Sequence, residues 1–379
     1  MLNSNSTDSQ YKQAKFSDAS LAIRVLTPQV DKADNQYLNS LWSSVESYGV
    51  KVSEFELTHL VAQVKANRKV GNVIHLNWIN RFCICHDNSV LKSIKKVRAL
   101  YYTLRNLYYF IFIKSKGYQL VWTVHNTISH DSKTGIIERL FRWQLSCLCS
   151  DIIVMSEYSR QEFSRKYRRT KRVHVVPHGN YIGAYPNDVS QAEARKQLGI
   201  SPHQKVLLHF GYIRPYKGIS NLLATFAQLK EPDLVLIIAG RCSCSALFSE
   251  IEQAAHIDSR IHLRLDFIPD QEIQWYMNAC NWVVLPYNKI LNSGSVLLAL
   301  SFGRPVIVPQ QGSLTELIQN GREGFFYLQD YDLITTLNHA LITSSQQWQQ
   351  MCTQAYALAQ QYDWSKIGAK LYQIYQQDS

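Results

Sequence analysis

The sequence predicts an α/β protein built as two doubly wound domains, and three observations predict it. Short apolar runs of strand length alternate with amphipathic helical stretches along most of the chain. The alternation restarts after a polar segment, 184–190, which carries Pro186, Asn187 and Asp188 and reads as a linker. With 379 residues and 46% hydrophobic side chains, the chain has the length and apolar content for two cores of ordinary size.

Taken in order, residues 1–20 are Asn, Ser, Asp, Gln and Lys-rich without an apolar signal core, so they read as a loose tail and the chain is expected to stay in the cytoplasm. The first domain, 21–185, opens with a strand over 22–26, a helix over 37–48 and a strand over 50–55. Further strands are expected at 73–76, 120–124 and 152–155, with another ending before Pro177, and 92–116 reads as one long helix. The second domain, 190–345, begins its strands at 205–209, turns at Gly211 and continues into an amphipathic helix over 219–229. Strands at 236–240 and 281–287 follow, then a helix over 295–302 that stops at Gly303-Arg304-Pro305, a glycine with a proline behind it, and a strand at 306–308. The last stretch, 346–379, is helical and aromatic.

Ligands of open α/β sheets sit beyond the carboxyl ends of the strands, so the residues just after each strand carry the chemistry. After 205–209 come Gly211, Arg214 and Lys217 and then a helix start, an arrangement of cations and free amides suited to a nucleotide diphosphate. The alternative is a solvated loop. A second cradle, Asn292-Ser293-Gly294-Ser295, lies at the start of the 295–302 helix, where hydroxyls and small-residue amides can donate to phosphate or simply cap the helix. In the first domain the candidates are Asp31 and Asp34, Asn77-Trp78, and His125-Asn126 with His130-Asp131 beyond it. His178 ends another strand near the hinge and either contacts the bound ligand or braces the turn.

Forty Lys and Arg against 29 Asp and Glu leave a net charge of +11, which calls for an anionic partner. Residues 92–116 hold seven cations and no acid, interleaved with aromatics. Such a helix can lie on anionic lipid through Lys95, Lys96, Arg98 and Arg105, or can be a domain helix whose aromatics are core. A second run, 160–172, has seven cations against Glu162. Together they suit a peripheral enzyme on the inner face of the cell membrane with a lipid-linked acceptor, and no nucleic-acid module accompanies the charge. No segment spans a membrane, the apolar run 107–113 being far short of the roughly 18 residues needed. Cys83 with Cys85, Cys147 with Cys149 and Cys242 with Cys244 lack Cys-x-x-Cys spacing, so free thiols are expected, with no metal and no cofactor.

The order "FGYIRPYKG", "LIIAG", "CNWVVLPY", "NSGSVLLALSFGRPVIVP" and "GSLTELIQNGREGFFY" resembles the C-terminal half of the GT-B glycosyltransferases, especially the large retaining family 4 and its relatives. The resemblance covers residues 205–328 and implies two Rossmann-like domains facing a cleft. It implies an acceptor-binding first domain, a nucleotide-sugar-binding second domain, and a last helix, within 346–379, that crosses back to the first. Arg214 and Lys217 then fall on the cations that hold the donor diphosphate, the loop before Ser295 on the donor loop, and Glu316 on the acid of the glycine-rich turn. "VWTVHNTISHD" resembles the histidine loop that faces the donor sugar.

One departure bears on mechanism. The family's paired glutamates fall here on Ile290 and Leu298. The pattern around "SGS" and "LALSFGRPV" is instead similar to the exopolysaccharide glycosyltransferases related to the β-mannosyltransferase of xanthan assembly, which use a GDP-sugar and invert. An inverting reaction needs a general base, for which Asp131, Asp31 and His125 are the candidates in that order; a retaining one does not. A retaining family-4-like transferase, a nucleotide-sugar 2-epimerase and a non-catalytic partner subunit are the alternatives that the same fold accommodates.

Overall fold

A computed structural model describes residues 23–28, 35–65, 72–82, 92–125 and 135–377. Asp31, Asp34, Asn126, His130, Asp131, Cys83 and Cys85 lie outside the described residues, as do the tail 1–20 and the side chains of Lys95 and Lys96.

The first sheet is built from β1 (Arg24–Thr27), α1 (Gln36–Glu46), β2 (Lys51–Glu54), α2 (Leu57–Lys65), β3 (Val73–Leu76), α3 (Lys92–Ser115), β4 (Gln119–Thr123), α4 (Gly135–Leu148), β5 (Asp151–Val154), α5 (Glu157–Tyr167) and β6 (Val173–Val175). Its strands run parallel in the order β2-β1-β3-β4-β5-β6. Strands β3, β4 and β5 are buried along their whole length, which is why they read as continuous apolar runs. On one face α2, α3, α4 and α5 cover Ile74, Leu76, Leu120, Trp122, Ile152 and Val154.

The second sheet follows as α6 (Gln191–Gln197), β7 (Lys205–Phe210), α7 (Ile219–Phe226), β8 (Leu234–Ala239), α8 (Ser245–Ile257), β9 (Ile261–Arg264), α9 (Ile273–Ala279), β10 (Trp282–Val284), α10 (Gly294–Ser301), β11 (Val306–Pro309), α11 (Leu314–Leu317), β12 (Gly324–Tyr327), α12 (Leu333–Leu341), α13 (Ser345–Gln361) and α14 (Trp364–Gln376). It is also parallel, in the order β12-β11-β10-β7-β8-β9. The strand order reverses between β7 and β10, which opens a crevice at their carboxyl ends, and the first sheet has the same kind of switch between β1 and β3. Sequence periodicity singles out neither β9 nor β12. Both lie at sheet edges, and β9 alternates Ile261 and Leu263 with His262 and Arg264.

The last helical stretch is two helices. The first ends at Gln361, and Asp363 caps the second, its carboxylate accepting the Ser365 N–H at 2.7 Å. This break turns α14 back onto the first domain, where Ile367, Leu371, Ile374 and Tyr375 pack against Leu38, Trp42 and Val45 of α1. The two helices approach so closely that a Cβ on Gly368 would lie 2.4 Å from the Ser44 carbonyl oxygen. Beneath them Tyr375 Oη meets His75 Nδ1 at 2.6 Å and His75 Nε2 meets Thr123 Oγ1 at 2.7 Å, a fully buried chain of polar contacts linking α14 to β3 and β4.

Candidate functional site

The crevice at the β7/β10 switch is where the two predicted cradles meet. Gly211 follows β7 with φ of 102°, a conformation open to glycine, and a Cβ there would lie 3.3 Å from both Lys217 Nζ and Ser295 Oγ. Three residues from three segments thus converge on one point. Gly218 sits against the loop after β10, where a Cβ would reach 1.7 Å from the Pro286 carbonyl oxygen, so this close approach requires glycine. Lys217 is buried, and no acid pairs with it among the described residues. Burial, and then the charge of Arg214, push its pKa down to about 8. A buried ammonium facing small-residue backbone is a stored demand for an anion. Arg214 is half-buried, its guanidinium 5.8 Å from the Tyr212 ring centroid.

The serines divide the work. Ser293 caps α10, its Oγ accepting the Val296 N–H at 3.1 Å, and it also meets Tyr287 Oη at 2.8 Å. Ser295, two residues beyond the cap, is the hydroxyl that reaches the Gly211 side. Tyr287 ties the two serines together; burial outweighs their hydrogen bonds and pushes its pKa up to about 12. Sequence reasoning misses this tyrosine, whose only signal is its place three residues beyond β10.

Across the cleft, two of the three candidate strand ends come together. His125 Nε2 lies 3.2 Å from Asn77 Oδ1, and its ring stacks on Trp78 with centroids 4.5 Å apart. Because that oxygen only accepts, Nε2 carries the proton and Nδ1 keeps its lone pair. Burial, reinforced by His178, His75 and Arg142, pushes the His125 pKa down to about 3, so the ring is neutral at physiological pH. His178 Nδ1 donates to the Gly179 carbonyl at 2.7 Å, and burial lowers its pKa to about 4. Its ring lies between Tyr37, at 4.7 Å, and Gly294, whose Cβ would come 3.4 Å from His178 Nε2. It therefore both braces the hinge turn and borders the start of α10.

Two residues expected to bind the donor, Asn292 and Glu316, span the cleft in this structure. Asn292 Nδ2 donates to the His125 carbonyl at 3.4 Å and its Oδ1 accepts the Ser159 hydroxyl at 3.3 Å. The Glu316 carboxylate accepts the backbone N–H groups of Glu157 and Tyr158 at the start of α5. Gln36 adds a third bridge, donating to Asp270 at 2.9 Å. Between them remains a cavity of about 240 Å³ lined by Ser156, His178, Asn292, Ser293, Glu316 and Tyr362. That is below the roughly 300–1,000 Å³ of small-molecule pockets, and the three bridges hold the two domains close around it. Ile290 and Leu298, where the retaining family has its acids, are buried in the core of the second domain. Arg105 is half-buried on α3, its guanidinium over the rings of Tyr102 and Tyr109 at 4.8 and 5.7 Å, rather than projecting as a lone surface cation.

Residues 190–349 match the family model of the glycosyl transferases group 1. Over 307 residues the chain is 26% identical to a GDP-mannose:glycolipid 4-beta-D-mannosyltransferase of Xanthomonas campestris, covering 80% of this chain and 79% of that one. Among solved structures it resembles Anabaena HepE in complex with UDP and glucose (TM-score 0.69, 19% identity, 93% of this chain and 98% of that one). It also resembles the sucrose-phosphate synthase of Thermosynechococcus elongatus (TM-score 0.73, 16% identity, 94% and 98%). The fold is GT-B, two parallel six-stranded α/β domains, and the chain is a glycosyltransferase.

Proposed function

We propose that this GT-B glycosyltransferase moves mannose from GDP-mannose to a lipid-linked or glycan acceptor in polysaccharide assembly, inverting the anomeric centre and working as a peripheral protein on the inner face of the cell membrane. The observation that carries the reading is the convergence of Lys217 Nζ and Ser295 Oγ on Gly211 at the sheet's switch point. The choice of donor and acceptor is supported by the Xanthomonas relative, whose similarity extends over both domains.

In this reading the diphosphate lies over Gly211, where Lys217, Arg214 and the first amides of α10 neutralise the charge that grows as the glycosidic bond breaks. Gly294 keeps that helix start free of side chain beside His178 and Tyr181. With Ile290 and Leu298 apolar and buried, neither of those positions offers an acid to the donor. The proton of the attacking hydroxyl is taken from the first-domain side, by Asp131, Asp31 or His125. The Nδ1 lone pair of His125 is a weak base in the closed cleft, which favours an aspartate for the step and His125 for holding a sugar hydroxyl.

The test is incubation with GDP-mannose and a lipid-linked acceptor, reading released GDP and the product's anomeric configuration by NMR. A β-linked mannoside is expected. An α-linked product from the α-configured donor overturns inversion, an epimerised sugar nucleotide places the chain among the 2-epimerases, and nucleotide binding without turnover marks a non-catalytic subunit. Replacing the true base lowers turnover by roughly 10²–10⁴ while donor binding survives.

A further inference from the structure

The outward faces of α3 and α4 form one apolar surface. On α3, Val97, Tyr101, Leu104, Tyr108 and Ile111 are exposed at intervals of three and four, while Ala99, Asn106, Phe110 and Ile113 turn inward. On α4, Ile136, Leu140 and Trp143 repeat the interval. Both helices belong to the same layer over the sheet, packing on it through Phe110, Ile113, Phe141 and Leu145, and they touch each other. Their outward stripes therefore run side by side. Val97 is 68% and Ile136 76% exposed, so this is apolar surface left to solvent over two helices, not scattered single side chains.

Its charge selects the occupant. Helix α3 contains six Lys or Arg and no acid. The one acid of α4, Glu138, is buried against Arg142 at 2.8 Å, which leaves Arg139 as that helix's exposed charge. Among the described residues of α3 and α4 the face is thus apolar and aromatic, with Arg98 and Arg139 exposed and no exposed carboxylate. A second copy laid on it sets cation against cation, whereas a layer of lipid phosphates meets the cations while the rings and aliphatic side chains enter the acyl boundary.

We propose that the α3/α4 face seats the enzyme in the headgroup layer of an anionic bilayer. The proposal deepens the lipid-linked-acceptor reading above and rests on it for its purpose. Both helices start at the carboxyl ends of β3 and β4, the edge that borders the cleft, so a bilayer under this face brings a lipid-linked sugar to the cleft's mouth.

The test uses the full chain with vesicles of phosphatidylglycerol or of phosphatidylcholine. Wild type is expected to sediment with the anionic vesicles and to be released by salt. Two variants, Leu104→Gln/Tyr108→Gln/Ile111→Gln and Leu140→Gln/Trp143→Gln, should each lose tenfold or more in apparent partition coefficient. They should keep circular dichroism and transfer to a water-soluble acceptor analogue within twofold of wild type. Unchanged partitioning of both variants overturns the proposal. So does a wild type that ignores vesicles but self-associates in light scattering through residues these variants remove, since a second copy then covers the face. Failure of the acceptor reading is separable: wild type then binds vesicles through this face yet transfers sugar to neither acceptor.

Discussion

Glu316 of the second domain holds Tyr158 of the first: its Oε1 accepts the Tyr158 backbone N–H at 2.6 Å while Oε2 accepts that of Glu157 at 2.9 Å. These are first-turn amides of α5, which lack intrahelical partners and lie at the positive end of the helix dipole. The carboxylate is solvent-exposed, so the clasp is worth about 1 kcal/mol, or roughly a fivefold shift in the ratio of closed to open molecules. Glu316→Ala should raise the radius of gyration of the nucleotide-free protein in small-angle scattering and leave GDP affinity within threefold. A tenfold loss of GDP affinity with unchanged dimensions would instead assign the carboxylate to the donor, as the family resemblance implies.

Lys217 should trade stability for function. Its ammonium is buried without an acid partner among the described residues, so Lys217→Met removes a desolvated charge and is expected to leave the melting temperature unchanged or raised. Turnover should fall, because a charge-assisted contact to the leaving diphosphate is worth about 1.5–3 kcal/mol, roughly ten- to a hundredfold. Arg214→Ala should show the same loss of turnover. Wild-type rates in both variants would remove the diphosphate from this crevice.

The same lysine sets a pH dependence. Its pKa falls from 10.5 to about 8 through burial first and Arg214 second. Between those values the unfolded chain holds the proton and the folded one does not, so its contribution makes stability rise with pH across about 8 to 10.5, and its full penalty is present below about 8. Bound diphosphate favours the ammonium and raises that pKa again. GDP binding should therefore take up close to one proton at pH 9 and almost none at pH 7, and affinity should decline above pH 8. Calorimetry in two buffers of different ionisation enthalpy reads this directly, and equal enthalpies at pH 9 would refute it.

Tyr375→Phe should loosen α14. The ring volume is retained, but His75 Nδ1 loses the hydroxyl 2.6 Å away and is left buried and unsatisfied, a cost of about 1–3 kcal/mol. For a domain of this size that is roughly 2–12 °C in melting temperature, measured by calorimetry. An unchanged first-domain transition would mean that the contact contributes nothing net.

Much of the fold is legible in the chain because parallel strands are buried on both faces and must be continuous apolar runs, as Ile152-Ile153-Val154 and Leu236-Ile237-Ile238 are. The glycine stop after α10 and the turn at Gly211 are equally local, since each needs a backbone conformation that glycine adopts without strain. Arg214 and Lys217 could be picked out from their place after β7, where a solvated loop is the alternative reading. Edge strand β9 escapes because it carries polar residues on its open side, and Tyr287 escapes because a tyrosine beyond a strand has no pattern of its own.

What the sequence by itself determined is the set of local conditions: two α/β domains, the anion-seeking loop of Gly211, Arg214 and Lys217, and a helix rich in cations and aromatics with no acid. Only the tertiary structure decided how those conditions combine. It turned Ser293 into a cap and left Ser295 facing Gly211, brought His125 onto Asn77 and Trp78, set Glu316 and Asn292 across the cleft onto the first domain, and sorted α3 into an inward and an outward stripe beside α4. The physical reason is that capping and strand burial depend on neighbours a few residues away. The partners of a buried ammonium, a cleft carboxylate or an exposed ring come from segments that only folding brings within 3 to 5 Å.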